Sequence, residues 1–184
     1  MQLSIYKREK KQITKLRHLG NVPAVVYAQD QKKNENIYLK KAELKKQLAT
    51  LKPGDLSTSI FTLKSEKETF KAIVKEIQYF VTTYEVSHLD FMRLDEKKVI
   101  TAKVPIRFTG VAECKGIKQG GNFRQIIRAM KVKCLPKDLP KGFVVHVADM
   151  EIGDTKRLSE IKLPKDVISV SRKLNEVIVT ITKR

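Results

Sequence analysis

The chain has no tryptophan, two cysteines, three histidines, six prolines and eight glycines among its 184 residues. Each scarcity excludes something. Cys114 and Cys134 stand nineteen residues apart with no second pair, too few for a zinc site and a weak disulfide framework, so both are expected as reduced thiols. None of His18, His88 and His146 sits in a carboxylate cluster, so a metal site is poorly supported and no cofactor is expected. Gly120-Gly121 in CKGIKQGG fits neither the Walker spacing nor a dinucleotide fingerprint, which leaves a tight turn and no small-molecule substrate. No window approaches eighteen consecutive apolar residues, so no membrane-spanning helix is expected. The opening MQLSIYKREKK has no apolar signal-peptide core, and the expectation is a cytoplasmic protein. No repeat of 20–50 residues is visible, against a solenoid.

Acid is also scarce. Twenty Asp and Glu stand against 38 Lys and Arg, a net charge of +18 and a pI near 9.9. Such an excess is the footprint of a polyanionic partner. It is not confined to a tail: residues 1–94 carry 18 basic and 10 acidic side chains, and residues 95–184 carry 20 and 10. Apolar residues make up 41% of the chain, enough for a core, and the length suits one large domain or two small ones.

Residues 2–8 alternate Leu3 and Ile5 with polar neighbours, an opening strand. A one-sided basic run follows, with Lys7, Arg8, Lys10, Lys11, Lys15 and Arg17 against the single acid Glu9, suited to phosphate contacts from a flexible or part-helical loop. Gly20 is a helix stop. Pro23 opens a strand over residues 22–28 that is apolar on both faces, as in the centre of a barrel. Residues 29–36 read as a polar loop and 37–39 as a short strand. Leu44, Leu48 and Leu51 take helical spacing over residues 41–51, with lysines opposite, and Pro53-Gly54 ends the helix. Strands are expected at 59–63 and 70–80. A domain boundary is placed at the charged run 95–98. Beyond it come short strands (99–108, 143–147, 177–181), an extended basic segment over 123–135 and frequent turns, the pattern of an all-β domain. Residues 115–141 hold eight basic side chains and one acid, Asp138, a second candidate patch facing RNA or protein.

The chain is organised around residues 74–94, two extended segments joined by a short polar turn at 81–84. In the second segment Ser87, Leu89 and Phe91 share one side, and Val86, His88 and Asp90 the other. His88 and Asp90 then project outward about 7 Å apart. Catalysis would need a nucleophile beside the histidine, and Ser87 points to the opposite face. The alternative is recognition: phosphates repel a carboxylate, so an exposed Asp on a basic protein suits base amino groups or ribose 2′-hydroxyls of RNA. Gln78 and Tyr79 add amide and phenol groups on the neighbouring strand. All five tyrosines precede residue 95, which enriches the first half in stacking platforms.

GNVPAVVYA (20–28) followed by VKEIQYFVTTYEVSHLDF (74–91) resembles the bacterial large-subunit ribosomal protein that binds 5S rRNA. In the second half VPIRFTG (104–110), KGIKQGGNF (115–123), KVKCLPKDLP (131–140) and EIGD (151–154) are similar to the C-terminal β domain of that family's longer form, the general stress protein CTC. The resemblance implies a mainly β protein: a six-stranded barrel with a few short helices over 1–94, like the anticodon-binding barrels of glutaminyl-tRNA synthetase, and an all-β domain over 95–184. It implies a non-enzymatic, ribosome-bound cytoplasmic protein that docks on the loop E helix of 5S rRNA from the minor-groove side, among other large-subunit components. The RNA contacts it implies are Lys10, Lys15, Arg17, Tyr27, Gln78, His88 and Asp90. The family's Gly-Lys-rich loop is replaced here by KKQITK (10–15), and the Gly after the Tyr by Ala28. A tRNA-binding module of a synthetase-like system and an RNA-processing enzyme using His88 and Asp90 are the rival readings.

Overall fold

The computed structural model describes residues 1–9, 12–28, 34–52, 54–65, 68–170 and 175–183. It divides into two compact units, Met1–Lys98 and Val99–Arg184, the division falling at the end of the charged run Asp95-Glu96-Lys97-Lys98.

The first unit is built from β1 (Gln2–Ser4), β2 (Tyr6–Lys7), α1 (Ile13–His18), β3 (Asn21–Tyr27), β4 (Asn34–Lys40), α2 (Lys41–Ala49), β5 (Ile60–Lys64), β6 (Thr69–Tyr79) and β7 (Val86–Arg93). The sheet runs β1-β5-β6-β7-β3-β4-β2. Seven strands are formed from six stretches of chain, because only Ile5 separates β1 from β2. β1 pairs in parallel with β5, and β2 antiparallel with β4. One opening segment thus covers both free edges, and the sheet becomes a nearly closed barrel with few unpaired backbone groups for another strand to join. The six-stranded barrel expected from the sequence is therefore present.

Alternation explains the interior. Leu3, Ile5, Ala24, Val26, Leu63, Leu89 and Phe91 are among the residues that meet in one buried cluster. The Phe61 and Phe91 rings pack edge to face there, with centroids 6.2 Å apart. α2 lays Leu44 into this core, with Leu48 and Leu51 packed against it, as the leucine spacing predicts. Gly20 stops α1 in the left-handed region at φ +70, where a side chain would be strained. Its N–H closes on the Arg17 carbonyl at 3.1 Å, and its own carbonyl receives the first N–H of α2 from Lys41. Pro23 is tolerated inside β3 because the ladder to β7 begins only at the next residue, Ala24. One expectation is corrected. The short strand at 37–39 extends over Asn34–Lys40, because β3 offers a backbone partner along its whole length, and ladder bonds do not require apolar side chains.

The second unit has β8 (Ile100–Thr109), α3 (Lys115–Lys118), β9 (Asn122–Gln125), β10 (Ala129–Cys134), β11 (Phe143–His146), β12 (Thr155–Arg157), β13 (Ile168–Ser169) and β14 (Val177–Thr182). They form one sheet of order β11-β8-β10-β13 and another of order β12-β14-β9. The extended segment expected over 123–135 is therefore broken: β9 pairs with β14, and β10 with β8 and β13. Its basic residues are divided accordingly, Arg124 on one sheet and Lys131 and Lys133 on the other, so they do not form one strand face. Cys114 and Cys134 are buried free thiols. Burial, and then the nearby charge of Asp138, push the Cys134 thiol up, which keeps it unreactive.

The glycines of KGIKQGG are structural. Gly121 donates its N–H to the Gly116 carbonyl at 2.8 Å. A Cβ on Gly121 would lie 2.6 Å from that same oxygen and 2.7 Å from Ile181. Gly121→Ala is expected to destabilise the second unit by about 1–3 kcal/mol through overpacking. Faster amide exchange across β9 and β14 would register it; unchanged exchange there would count against this close packing.

Candidate nucleic-acid interface

Two irregularities in the β6–β7 ladder set the outer face. Lys75 is an extra residue on β6, between the pairs Val74↔Phe91 and Glu76↔Asp90. Ser87 is an extra residue on β7, between the pairs Gln78↔His88 and Tyr79↔Val86. Without the first bulge, strict alternation would set Lys75 across from Asp90 and turn Glu76 toward the core. With it, Glu76 faces outward across from Asp90, and Ile77 turns inward across from Leu89. Gln78 then lies directly across from His88 and is exposed.

His88 and Asp90 do not project side by side. Their side chains lean together along the strand, with Nδ1 of His88 2.8 Å from Oδ1 of Asp90. They are only 18% and 21% exposed. The other carboxylate oxygen, Oδ2, accepts from the Tyr27 hydroxyl at 3.2 Å. Tyr27 reaches it from the adjacent parallel strand, where Val25 is the register partner of Asp90. Asp90 is thus not an open acceptor on the surface, as the alternation alone implied. It is a bracket with one oxygen for each neighbour. A carboxylate only accepts, so Nδ1 of His88 carries the proton in this pair, and Nε2 is the ring atom left for a partner. Burial first, then the charge and hydrogen bond of Asp90, and last the charge of Glu76, push the Tyr27 phenol up. The hydroxyl therefore stays protonated and keeps donating.

Beside the bracket is a cleft of about 290 Å³ lined by Tyr27, Asn34, Lys75, Glu76 and Asp90. Asn34, Lys75 and Glu76 were not among the residues expected from sequence. Local alternation carries no signal for Lys75 and Glu76, because a bulge shifts one strand against its partner without changing either strand's composition. Asn34 is brought in only by its pairing with Tyr27 between β4 and β3.

Arg17 joins the same face. Leu16 is buried and anchors α1, and the Arg17 guanidinium donates to the Ser87 carbonyl at 3.3 Å, one residue before His88. It also lies over the Phe80 ring, 5.4 Å from the centroid. Arg8 donates from Nε to the Ile37 carbonyl at 3.0 Å, and burial, then the charge of Arg17, lower its pKa. Two guanidiniums thus share this region. Lys15 is exposed on α1. Lys10 lies outside the described residues. The structure brings Tyr27, Gln78, His88, Asp90 and Arg17 together on the outer face of β3, β6 and β7.

At the root of the hairpin Glu85 receives Lys41 at 2.6 Å and Lys45 at 3.0 Å, which ties α2 to the strand ends. These two hydrogen bonds hold the Glu85 carboxyl below its usual range. Among the described residues no group of three His, Cys, Asp or Glu could hold a metal ion, and no helix is long and apolar enough to cross a membrane.

Comparison with known proteins agrees with this division of the chain. The model of the ribosomal L25p family matches residues 3–91, and that of the ribosomal protein TL5 C-terminal domain matches residues 99–184. The chain is 40% identical to the large ribosomal subunit protein bL25 of Chlamydia abortus and 39% identical to that of Chlamydia pneumoniae, each over the full length of both chains. The corresponding protein of Chlamydia muridarum is 40% identical over the same span.

Proposed function

Because this chain belongs to the bL25 family of bacterial large-subunit ribosomal proteins, in its long form with a TL5-type C-terminal domain, we propose that it binds 5S rRNA at the loop E helix through the outer face of β3, β6 and β7. As a member of that family it is a structural, non-enzymatic constituent of the large subunit, ribosome-bound in the cytoplasm.

The observation that carries the finer reading is the bracket at Asp90. Two side chains able to hydrogen-bond, His88 and Tyr27, are held by one carboxylate on the outer face of a protein with net charge +18. Charge alone would attract any RNA. A preset trio beside an exposed Gln78 amide supplies directional groups for base edges and 2′-hydroxyls in a wide, shallow A-form minor groove. Arg17 and Lys15, on the helix alongside, supply phosphate attraction and orientation. In this role the bracket orients readers and is not itself the reader. His88 fits no hydrolytic role, since Ser87 is buried on the opposite face of β7.

The test is a salt-titrated binding assay of the full chain against 5S rRNA, its isolated loop E fragment and bulk tRNA. Binding to the fragment should survive moderate salt, with tRNA far weaker. Lys15→Ala should lower the slope of log affinity against log salt by about one, the signature of one lost phosphate contact. Equal, steeply salt-sensitive binding to all three RNAs would leave only generic charge. Preference for tRNA would move the protein to a synthetase-like role.

A further inference from the structure

The tip of the β6–β7 hairpin, expected to be a polar turn, carries exposed apolar side chains beside its two threonines, Thr82 and Thr83. Val81 is 89% exposed and Tyr84 82%, with Tyr79 and Phe80 exposed beside them. Tyr84 also holds a left-handed backbone at φ +53, alone in this among the described non-glycine residues. That conformation is costly for a bulky residue and persists only where neighbours impose it. Here the Tyr84 N–H bonds to the Phe80 carbonyl at 2.9 Å, and the Phe80 N–H to the Glu85 carbonyl at 2.8 Å. The strained turn thus holds an aromatic ring out in water.

The electrostatic setting is positive. The acid at the hairpin root, Glu85, is bound by two lysines, Lys41 and Lys45, and Arg17 lies over Phe80. The exposed apolar groups are single side chains at the end of one hairpin, Tyr79, Phe80, Val81 and Tyr84, whereas a stable protein interface covers about 800 Å² on each partner. One aromatic platform among cations matches a single base and its phosphates.

We propose that the hairpin tip is a stacking site for an unpaired RNA base, with Tyr84 as the platform and Arg17, Lys41 and Lys45 drawing the adjoining backbone. This rests on the RNA-binding reading above and extends it beyond the face of β3, β6 and β7. The tip strengthens binding without reading sequence, because every base offers a ring face.

The chain's lack of tryptophan makes the test direct. Tyr84→Trp in the full-length protein places a single indole at the tip. Titration with 5S rRNA should quench its emission strongly, with affinity kept near that of the wild type. Tyr84→Ala should weaken 5S rRNA binding roughly tenfold, the loss typical of one stacked base, while Tyr84→Phe binds as the wild type. Indole emission that ignores saturating RNA, or full affinity in Tyr84→Ala, overturns the stacking site and leaves the reading of the outer face intact. Emission blind to RNA but blue-shifted by RNA-free large-subunit proteins overturns it in favour of a protein partner. A wild-type chain that fails to bind 5S rRNA overturns both, and does so before any variant is made.

Discussion

Asp90→Ala is expected to weaken binding of the loop E fragment by roughly 10- to 100-fold while leaving bulk tRNA binding nearly unchanged. The substitution removes the acceptor for two donors at once, Nδ1 of His88 and the Tyr27 hydroxyl. With most of the pair's surface out of water, both side chains must turn to find other partners. A loss of that size is about 1.4–2.7 kcal/mol, the worth of roughly one hydrogen bond to a charged group, because the two freed side chains recover part of what they lose by turning to other partners. The sign is what makes the experiment decisive. Removing a negative charge from a protein of net charge +18 should tighten RNA binding if the attraction is only electrostatic. Tighter binding of all RNAs by Asp90→Ala would therefore dispose of the bracket. Asp90→Asn should fall between, because the amide retains one acceptor and presents its NH2 to the other neighbour. Fluorescence anisotropy with the labelled fragment and with tRNA, at one fixed salt concentration, measures all three proteins.

Phe91→Ala is expected to destabilise the first unit by about 3–5 kcal/mol. Phe91 is wholly buried, packs edge to face on Phe61, and sits on β7 between Val74 of β6 and Val26 of β3. Its loss empties the middle of the barrel where no neighbouring strand can easily move in. Domains of this size have only about 5–15 kcal/mol to lose, so the variant should be partly unfolded under mild denaturant. All five tyrosines lie in the first unit, so near-ultraviolet tyrosine dichroism in a urea titration follows that unit alone. A midpoint within error of the wild type would contradict the packing described here. RNA recognition should fall with stability, because Leu89 and Phe91 face the core from the strand that presents His88 and Asp90. Core and interface are alternate residues of one strand.

Much of this was legible in the sequence. The two-residue alternation assigned core and outer faces correctly along 87–91, because side-chain direction in a strand is a local property of the backbone. The bulge at Ser87 turns Val86, expected beside His88 and Asp90, against the core instead. Gly20 marked the end of α1 for an equally local reason, and the leucines of α2 found the core because their helical spacing puts them on one stripe. The excess of positive charge and the ordered family motifs pointed to a ribosomal RNA-binding protein. The family and the barrel stand on the matches and on the sheet order.

What the sequence left undecided depends on which strand lies beside which, and in what register. Tyr27 and Asp90 are 63 residues apart, and they meet only because β3 runs parallel to β7. The Lys75 bulge turns Glu76 outward by shifting β6 against its partner, and nothing local to either strand announces it. The basic run over 123–135 read as one strand until its two halves were claimed by different sheets. Residues 81–84 read as a short polar turn, and only the structure shows Tyr84 there in a left-handed backbone with its ring exposed to water. The sequence by itself determined charge, strand faces, helix ends and family, all carried by neighbours along the chain. Only the tertiary structure decided that Asp90 is a bracket for His88 and Tyr27, because hydrogen bonds between side chains need the few-tenths-of-an-ångström placement that strand pairing supplies and alternation does not.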